Sequence, residues 1–483
     1  MSEKEKGTNN SRFREIISVL RKHNITRGLS PKKLRLIMED LGPTFVKIGQ
    51  IMALHSDILP KAYCDELMEL CTDARPMPFE EAVSVIDESY GRSWKKVFAS
   101  IEETPIGSAS IAQVHRAVLK SGEEVVVKIQ RKGIYEMMAR DIDFIRKAIK
   151  LMPPISLKGM ADFDLVLDEL WSVTRDEMNF LTEASNIEEF ARRNKDVNFV
   201  QTPVLYQQYT TVHVLVMEYI DGCGIDEKEK LLEDGYDLKE IGSKLVDNYI
   251  KQVMDDGFFH ADPHSGNVKI RDGKIVWIDM GMMGRLTEHD REMITLAIEG
   301  VALNDVGLIL KAVLGLGEFK ERPEQRKLYE DIEGLLLKYG STDMGKINVA
   351  EVMTDLMEVM KENKIMMPHG LTMLARGLTH MEGVLVNIAP DINMVEIARA
   401  RLAADFLHNF NFKKELKNTG RSLLKSVRKM IDLPSMTTDL MDEFMKGQSK
   451  VNLDLRVSKD LAFLLRRLVR NIVMGLWVMA LLI

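Results

Sequence analysis

Hydrophobic positions over residues 11–100 recur at three- and four-residue intervals, the spacing that lines one face of a helix, and β-branched alternation is sparse there. This stretch is expected to be an all-helical preface. The period changes after Thr104. Small residues, Gly107-Ser108-Ala109-Ser110, lead into Ile111 to Val118, a Ser121-Gly122 turn, and Glu124 to Gln130 with Val125-Val126-Val127 at its centre, which predicts a β-hairpin. Helical spacing returns over residues 135–151 and 163–194, with Pro153-Pro154 between them. Short β-rich runs at 204–206 and 212–219 complete a small sheet, and beyond Asp237 the pattern is helical to about Phe412. Gly257 to Gly284 interrupts it with two loops around a strand at Lys274 to Ile278. The fold class expected is α+β.

The interruption carries the densest chemistry. It reads Gly257-Phe-Phe-His260-Ala-Asp262-Pro-His264-Ser-Gly-Asn267, then a strand, then Ile278-Asp279-Met-Gly281. Phosphoryl transfer needs a carboxylate to receive the attacking hydroxyl and hard oxygen ligands to hold a divalent cation against phosphates. Asp262 suits the first task. Asn267 and Asp279 suit the second, because an amide oxygen and a carboxylate converge on one cation. The His-x-Asp-x-x-x-x-Asn spacing matches a protein-kinase catalytic loop, with Asp-Met-Gly where Asp-Phe-Gly is usual. A rival reading makes His260 and His264 a zinc pair, but Pro263 disfavours a helix between them and no third ligand stands nearby. Lys128, ending the Val125-Val126-Val127 strand, is placed like the kinase lysine that holds the α- and β-phosphates. The glycine-rich phosphate loop is missing, and the small residues Gly107, Ser108, Ala109 and Ser110, with Gln113 beyond them, stand in its place.

These strings resemble the UbiB/AarF family of atypical kinases, over most of the chain. The likeness lies in the Ala109-Ser-Ile-Ala-Gln113-Val-His115 loop, in Lys47-Ile48-Gly49-Gln50 within the preface, and in Glu177-Met178-Asn179 followed by Glu183-Ala184, where Asn179 replaces the family's Asp. The resemblance implies a two-lobed protein-kinase-like fold, with a small β-containing N-lobe, a helical C-lobe and an N-terminal helical extension. It implies ATP and Mg2+ as cofactors. Glu183 would pair with Lys128, and Glu218-Tyr219 would be the hinge that holds adenine by main-chain groups. Lys47, Gln50 and Glu177 would be regulatory, from a helix closing the pocket where a kinase takes a protein substrate. It further implies ATPase or phosphotransferase activity in quinone or other isoprenoid-lipid metabolism, with an isoprenoid or quinone precursor, other lipid-biosynthesis enzymes or a second copy of the chain as partners. Two other readings stand beside it: a small-molecule kinase of the aminoglycoside or choline type, and a nucleotide-switched pseudokinase that presents a lipid.

Expected boundaries are 1–100 for the extension, 101–222 for the N-lobe, 223–412 for the C-lobe, 413–460 for a connector and 461–483 for an apolar helix. The last segment is uncharged apart from Arg466, Arg467 and Arg470, yet its uninterrupted apolar part falls short of the ~20 residues needed to cross a bilayer. A membrane-associating end is expected, with the body on the cytoplasmic face. The first ten residues lack the apolar core of a secretory signal. A net charge of −7 gives no general attraction to nucleic acid. Three cysteines without a Cys-x-x-Cys pair indicate neither a disulfide framework nor a thiolate zinc site.

Overall fold

The computed structural model describes residues 3–24, 28–53, 60–70, 75–150, 171–172, 174–175, 177–319, 321–340, 349–398 and 400–401. The expected connector and apolar helix over 413–483 lie outside them. Four helices open the chain: α1 (Glu3–Lys22), α2 (Pro31–Leu41), α3 (Pro43–Met52) and α4 (Lys61–Met68). Pro31 fits the first turn of α2, where its missing N–H is not needed, and the Ser30 hydroxyl caps that turn by accepting from Lys33 N. Their apolar faces meet around Ile37, Met38, Leu41, Phe45 and Leu67. Gly49 explains the small residue of Lys-Ile-Gly-Gln. A Cβ there would lie 2.4 Å from Leu70 Cδ1 and 2.5 Å from Met38 Sδ, so only glycine lets α3 press onto α2 and α4.

Helix α5 (Phe79–Tyr90) follows, and then the N-lobe sheet: β1 (Phe98–Ile101), β2 (Gly107–Ser108), β3 (Ala112–Leu119) and β4 (Glu124–Gln130), completed after α6 (Ile134–Lys150) and α7 (Phe180–Arg193) by a later strand. The preface is therefore not helical throughout. Phe98 to Ile101 pair antiparallel with β3, and Phe98 and Ile101 bury with Ala117 and Leu119 under α5. Four residues are too few to show a period. On β4 the pleat sends Val125, Val127 and Ile129 toward α5, so Val126 and Lys128 point the other way. The spacing over 163–194 predicts one helix; the described residues 171–172, 174–175 and 177 are helical, but the run breaks at Met178-Asn179 and α7 begins at Phe180. Asn179 is extended and its side chain accepts from Leu181 N at 3.1 Å. The family Asp is thus replaced by a residue that caps a helix equally well.

The rest of the chain runs β5 (Val200–Gln201), β6 (Val214–Glu218), β7 (Cys223–Gly224), α8 (Lys228–Glu233), α9 (Leu238–Lys251), β8 (Phe258–His260), β9 (Val268–Arg271), β10 (Lys274–Trp277), β11 (Met283–Arg285), α10 (Glu288–Ala302), α11 (Val306–Leu316), α12 (Gln325–Gly340), α13 (Val349–Glu362) and α14 (His369–Ile388). The N-lobe sheet has the order β1-β3-β4-β6, with β2 on β3; a second sheet runs β5-β10-β9-β7, and β8 pairs β11. The β9–β10 hairpin turns at Asp272 and Gly273, both at positive φ. A large core of Phe190, Leu245, Tyr249, Phe259, Trp277, Leu374 and Met381 joins α7, α9, the hairpin and α14. Among the described residues no helix is long and apolar enough to cross a membrane.

Candidate active site

Lys128 faces the space between β4 and the C-lobe loops because of the pleat just described. Its Nζ donates to both Glu183 oxygens, at 3.0 and 2.8 Å, and to Asp279 Oδ2 at 3.1 Å. Glu183 stands in the first turn of α7, the end the Asn179 cap fixes, and is buried. Asp279 leaves β10 at its C-terminal end, and its Oδ1 accepts from Gly281 N at 2.8 Å. Burial alone would lower the Lys128 pKa, but Asp279 and Glu183 reverse this and raise it. Burial pushes the Glu183 carboxyl up to about 7 despite Lys128. Asp279 goes the other way: burial opposes ionisation, and Lys128 and the Gly281 amide prevail and lower its pKa.

Asp262 lies across a short bridge from that cluster, and His260 is the bridge. His260 Nε2 donates to the Asp279 carbonyl at 2.6 Å, and its Nδ1 accepts from Asp262 N at 3.1 Å. Both ring nitrogens are occupied, the ring stacks on Trp277 at 5.1 Å, and burial lowers its pKa, so it is a neutral structural tie and not a zinc ligand. His264 Nδ1 accepts from Gly266 N. Asn267 donates Nδ2 to the Asp262 carbonyl at 3.1 Å, which orients its side-chain oxygen away from that bond. No cluster of three or more His, Cys, Asp or Glu side chains among the described residues is placed to hold a metal unaided. The donor set of Asn267 and Asp279, one amide oxygen and one carboxylate, fits a hard divalent cation whose other ligands are phosphate and water.

Asp262 itself is held from α14. Its Oδ2 accepts from Arg376 Nη2 at 3.2 Å, and His380 Nδ1 lies 2.8 Å from Oδ1. Burial would raise its pKa, but His380 and Arg376 hold the carboxyl well below the usual range. Gly377 makes the approach possible: a Cβ there would sit 2.0 Å from Tyr249 Oη and 3.1 Å from the His260 carbonyl, the two groups that hydrogen-bond to each other at 3.1 Å. Sequence reasoning missed both residues. The readable signal was a polar pair four residues apart, beside the stripe that buries Gly377, Met381 and Val384.

The other candidates are placed as follows. Gln113 is fully buried, with its amide on the Met77 main chain and on His115 Nε2, so it braces β3 and does not face a ligand. Gly107 and Ser108 form β2 against β3, and Ser110 is buried. Ala109 donates its N–H to Ala112 O at 2.8 Å, while Arg131 holds Ala109 O and the Ser108 hydroxyl, each at 2.8 Å. The loop expected to offer its main chain to phosphates is thus partly engaged with itself and with Arg131. At the hinge, Glu218 N donates to Val204 O and Tyr219 N to Glu124 O. Their side chains turn outward: Glu218 pairs with Arg271 at 2.6 Å, and the Tyr219 ring lies under Arg116. Lys47 forms an ion pair with Glu177, and Gln50 sits half-buried on the same helix.

Residues 69–313 match the model of the ABC1 atypical kinase-like domain, and residues 332–393 match that of the UbiB helical domain. The chain belongs to the ABC1 atypical kinase-like family. A Clostridium pasteurianum protein from the 5′ region of hydrogenase 1 is 37% identical over 454 residues, covering 92% of this chain and 85% of that one. Arabidopsis thaliana Activity of BC1 Complex Kinase 8, chloroplastic, is 33% identical over 416 residues, and the alignment spans 79% of this chain and about half, 54%, of the plant protein. The complex of Rv3197 with erythromycin from Mycobacterium tuberculosis shares the fold, with a TM-score of 0.51 over 73% of this chain and 90% of that one at 23% identity. The two-lobed kinase-like architecture follows for this family member. One expectation is corrected. Placement at the cytoplasmic face of a membrane does not stand, since the plant relative is chloroplastic and the described residues hold no membrane-crossing helix; the segment 461–483 that suggested it lies outside them.

Proposed function

We propose that this chain binds ATP with Mg2+ and catalyses phosphoryl chemistry, as an ATPase or a phosphotransferase, in quinone or other isoprenoid-lipid metabolism. The observation that carries the reading is Lys128 bridging Glu183 and Asp279 within 3.1 Å, while His260 ties Asp279 to Asp262. Lys128 would meet the α- and β-phosphates, and Asn267 and Asp279 would hold the cation that offsets charge on them. Asp262 would receive the attacking hydroxyl or water. The Lys47–Glu177 pair ties the preface to the segment leading into α7, and the family likeness, in which that helix closes the protein-substrate pocket, favours water or a small acceptor. The isoprenoid setting rests on family likeness.

The test is ATP turnover by purified protein with magnesium, with and without isoprenoid phenols. Expected are magnesium-dependent hydrolysis, its stimulation by the phenol, and loss of nucleotide binding in Asp279→Asn. Binding that persists undiminished in Asp279→Asn would remove the cation from the reading.

A further inference from the structure

Arg376 and His380 lie one turn apart on α14, and both reach Asp262, yet their contacts differ in kind. His380 Nδ1 sits 2.8 Å from Oδ1, an ion-pair distance, although Oδ1 accepts no aligned hydrogen bond. Arg376 touches Oδ2 through one nitrogen at 3.2 Å, without the two-point grip a guanidinium makes on a carboxylate when it can. Its Nη1 has the Met282 thioether sulfur at 3.3 Å, a weak acceptor. Its Nε is buried without a hydrogen-bond partner. A guanidinium carries five N–H donors, and this one, 19% exposed, commits a single donor to a strong acceptor. Buried donors lacking acceptors are costly, and an incoming anion would relieve that cost. The anion expected beside Asp262 is the phosphoryl group in transfer.

We propose that Arg376 is a ligand of the transferred phosphoryl group, resting on Asp262 until nucleotide binds, and that His380 positions the carboxylate by keeping Oδ1. This rests on the phosphoryl-transfer reading above. As Arg376 moves to the terminal phosphoryl oxygens, Asp262 Oδ2 is freed for the attacking hydroxyl or water. The attacking oxygen bonds to phosphorus while the bridging P–O bond breaks, the bridging electron pair leaves with ADP, and the attacking proton passes to Oδ2. The guanidinium offsets charge on the equatorial oxygens. Arg376 lies beyond the ABC1 match, which ends at residue 313, and within the helical domain of 332–393. The reaction centre is then incomplete without that helix.

The test uses the full chain and compares wild type, Arg376→Lys, Arg376→Ala, Asp262→Asn and the Asp262→Asn/Arg376→Ala double variant, with thermal melts to confirm folding. Each is assayed for ATP turnover and for Mg–ADP affinity with and without fluoroaluminate, which mimics the phosphoryl in flight. Both Arg376 variants should bind Mg–ADP within ~3-fold of wild type, turn over ~10²-fold more slowly and lose the gain in affinity that fluoroaluminate gives. The double variant should be slower than Asp262→Asn alone. His380→Gln, which keeps a donor, should retain turnover, while His380→Ala should lose kcat at unchanged KM. An Arg376→Ala enzyme that keeps the fluoroaluminate gain, or whose defect vanishes in the Asp262→Asn background, overturns the inference and leaves the phosphoryl-transfer reading standing. Wild type that binds no Mg–ADP overturns both.

Discussion

The two carboxylate centres of the site are built on opposite plans. Around Lys128, one cation faces two carboxylates, Glu183 and Asp279, so the cluster carries an excess of negative charge once both are ionised. Around Asp262, one carboxylate faces Arg376 and His380, and no such excess exists. The first arrangement calls for a further cation before a triphosphate can approach. In the second the carboxylate already has its counter-charges, yet Oδ1 accepts no aligned hydrogen bond and Arg376 reaches Oδ2 through one nitrogen. On the proposed function, holding metal and accepting a proton would fall to separate residues.

The proton equilibria separate the two sides further, and they set the signs of the tests. Asp262 and Asp279 have lowered folded pKa values, so the stability they contribute is present at neutral pH and is lost as pH falls below the ordinary carboxylate range. Glu183 has a raised one, so its contribution is complete below its unfolded value and disappears as pH rises through about 7.

The sharpest way to break the contrast is Asp262→Asn. Turnover should fall about 10²–10⁴-fold, the usual range for losing a positioned proton acceptor, while nucleotide binding stays near wild type. Equal activity in a steady-state ATPase assay would assign the proton elsewhere. Next in size, Glu183→Ala leaves Lys128 buried with Asp279 as its remaining carboxylate and should cost about 3 kcal/mol in urea unfolding, since losing half of a buried pair strands the other half. A change below ~0.5 kcal/mol would mean that Asp279 alone satisfies the lysine. Gly377→Ala should cost about 1–3 kcal/mol by forcing α14 off Tyr249, and should slow turnover by displacing Arg376 and His380. Unaltered turnover would detach α14 from the chemistry. The smaller pH effect is also testable: urea stability should decline between pH 5 and 8 less steeply in Glu183→Gln than in wild type, and parallel profiles would place the titration at another group. Smallest is Asn179→Ala, expected to lose about 1 kcal/mol through the helix cap, with Asn179→Asp nearly neutral.

The same contrast explains what the sequence could reveal. The Lys128 side was legible because each member sits in a local string: a β-branched strand ending in lysine, the Glu183-Ala184 pair that carries the family likeness, a strand delivering Asp279 before Gly281. The His260 bridge was half legible, since spacing revealed the loop but not that both ring nitrogens would be taken. The α14 residues were hidden because Arg376 stands 114 positions from Asp262, and nothing local marks a pairing of that range. Gln113 misled for the opposite reason. It lies inside a telling string, yet the interior of β3 claims its side chain. The strand at Phe98 escaped because four residues carry no measurable period, and its pairing with β3 is decided by partners, not by its own pattern.

The histidine tie between the Asp262 amide and the Asp279 carbonyl constrains any cycle on the proposed function. With both bonds made by a buried, stacked ring, the fold itself sets the distance between the two acidic centres. On the proposed function, gating then falls to parts that approach this unit from outside, and the pace of a round to how fast those neighbours depart and return.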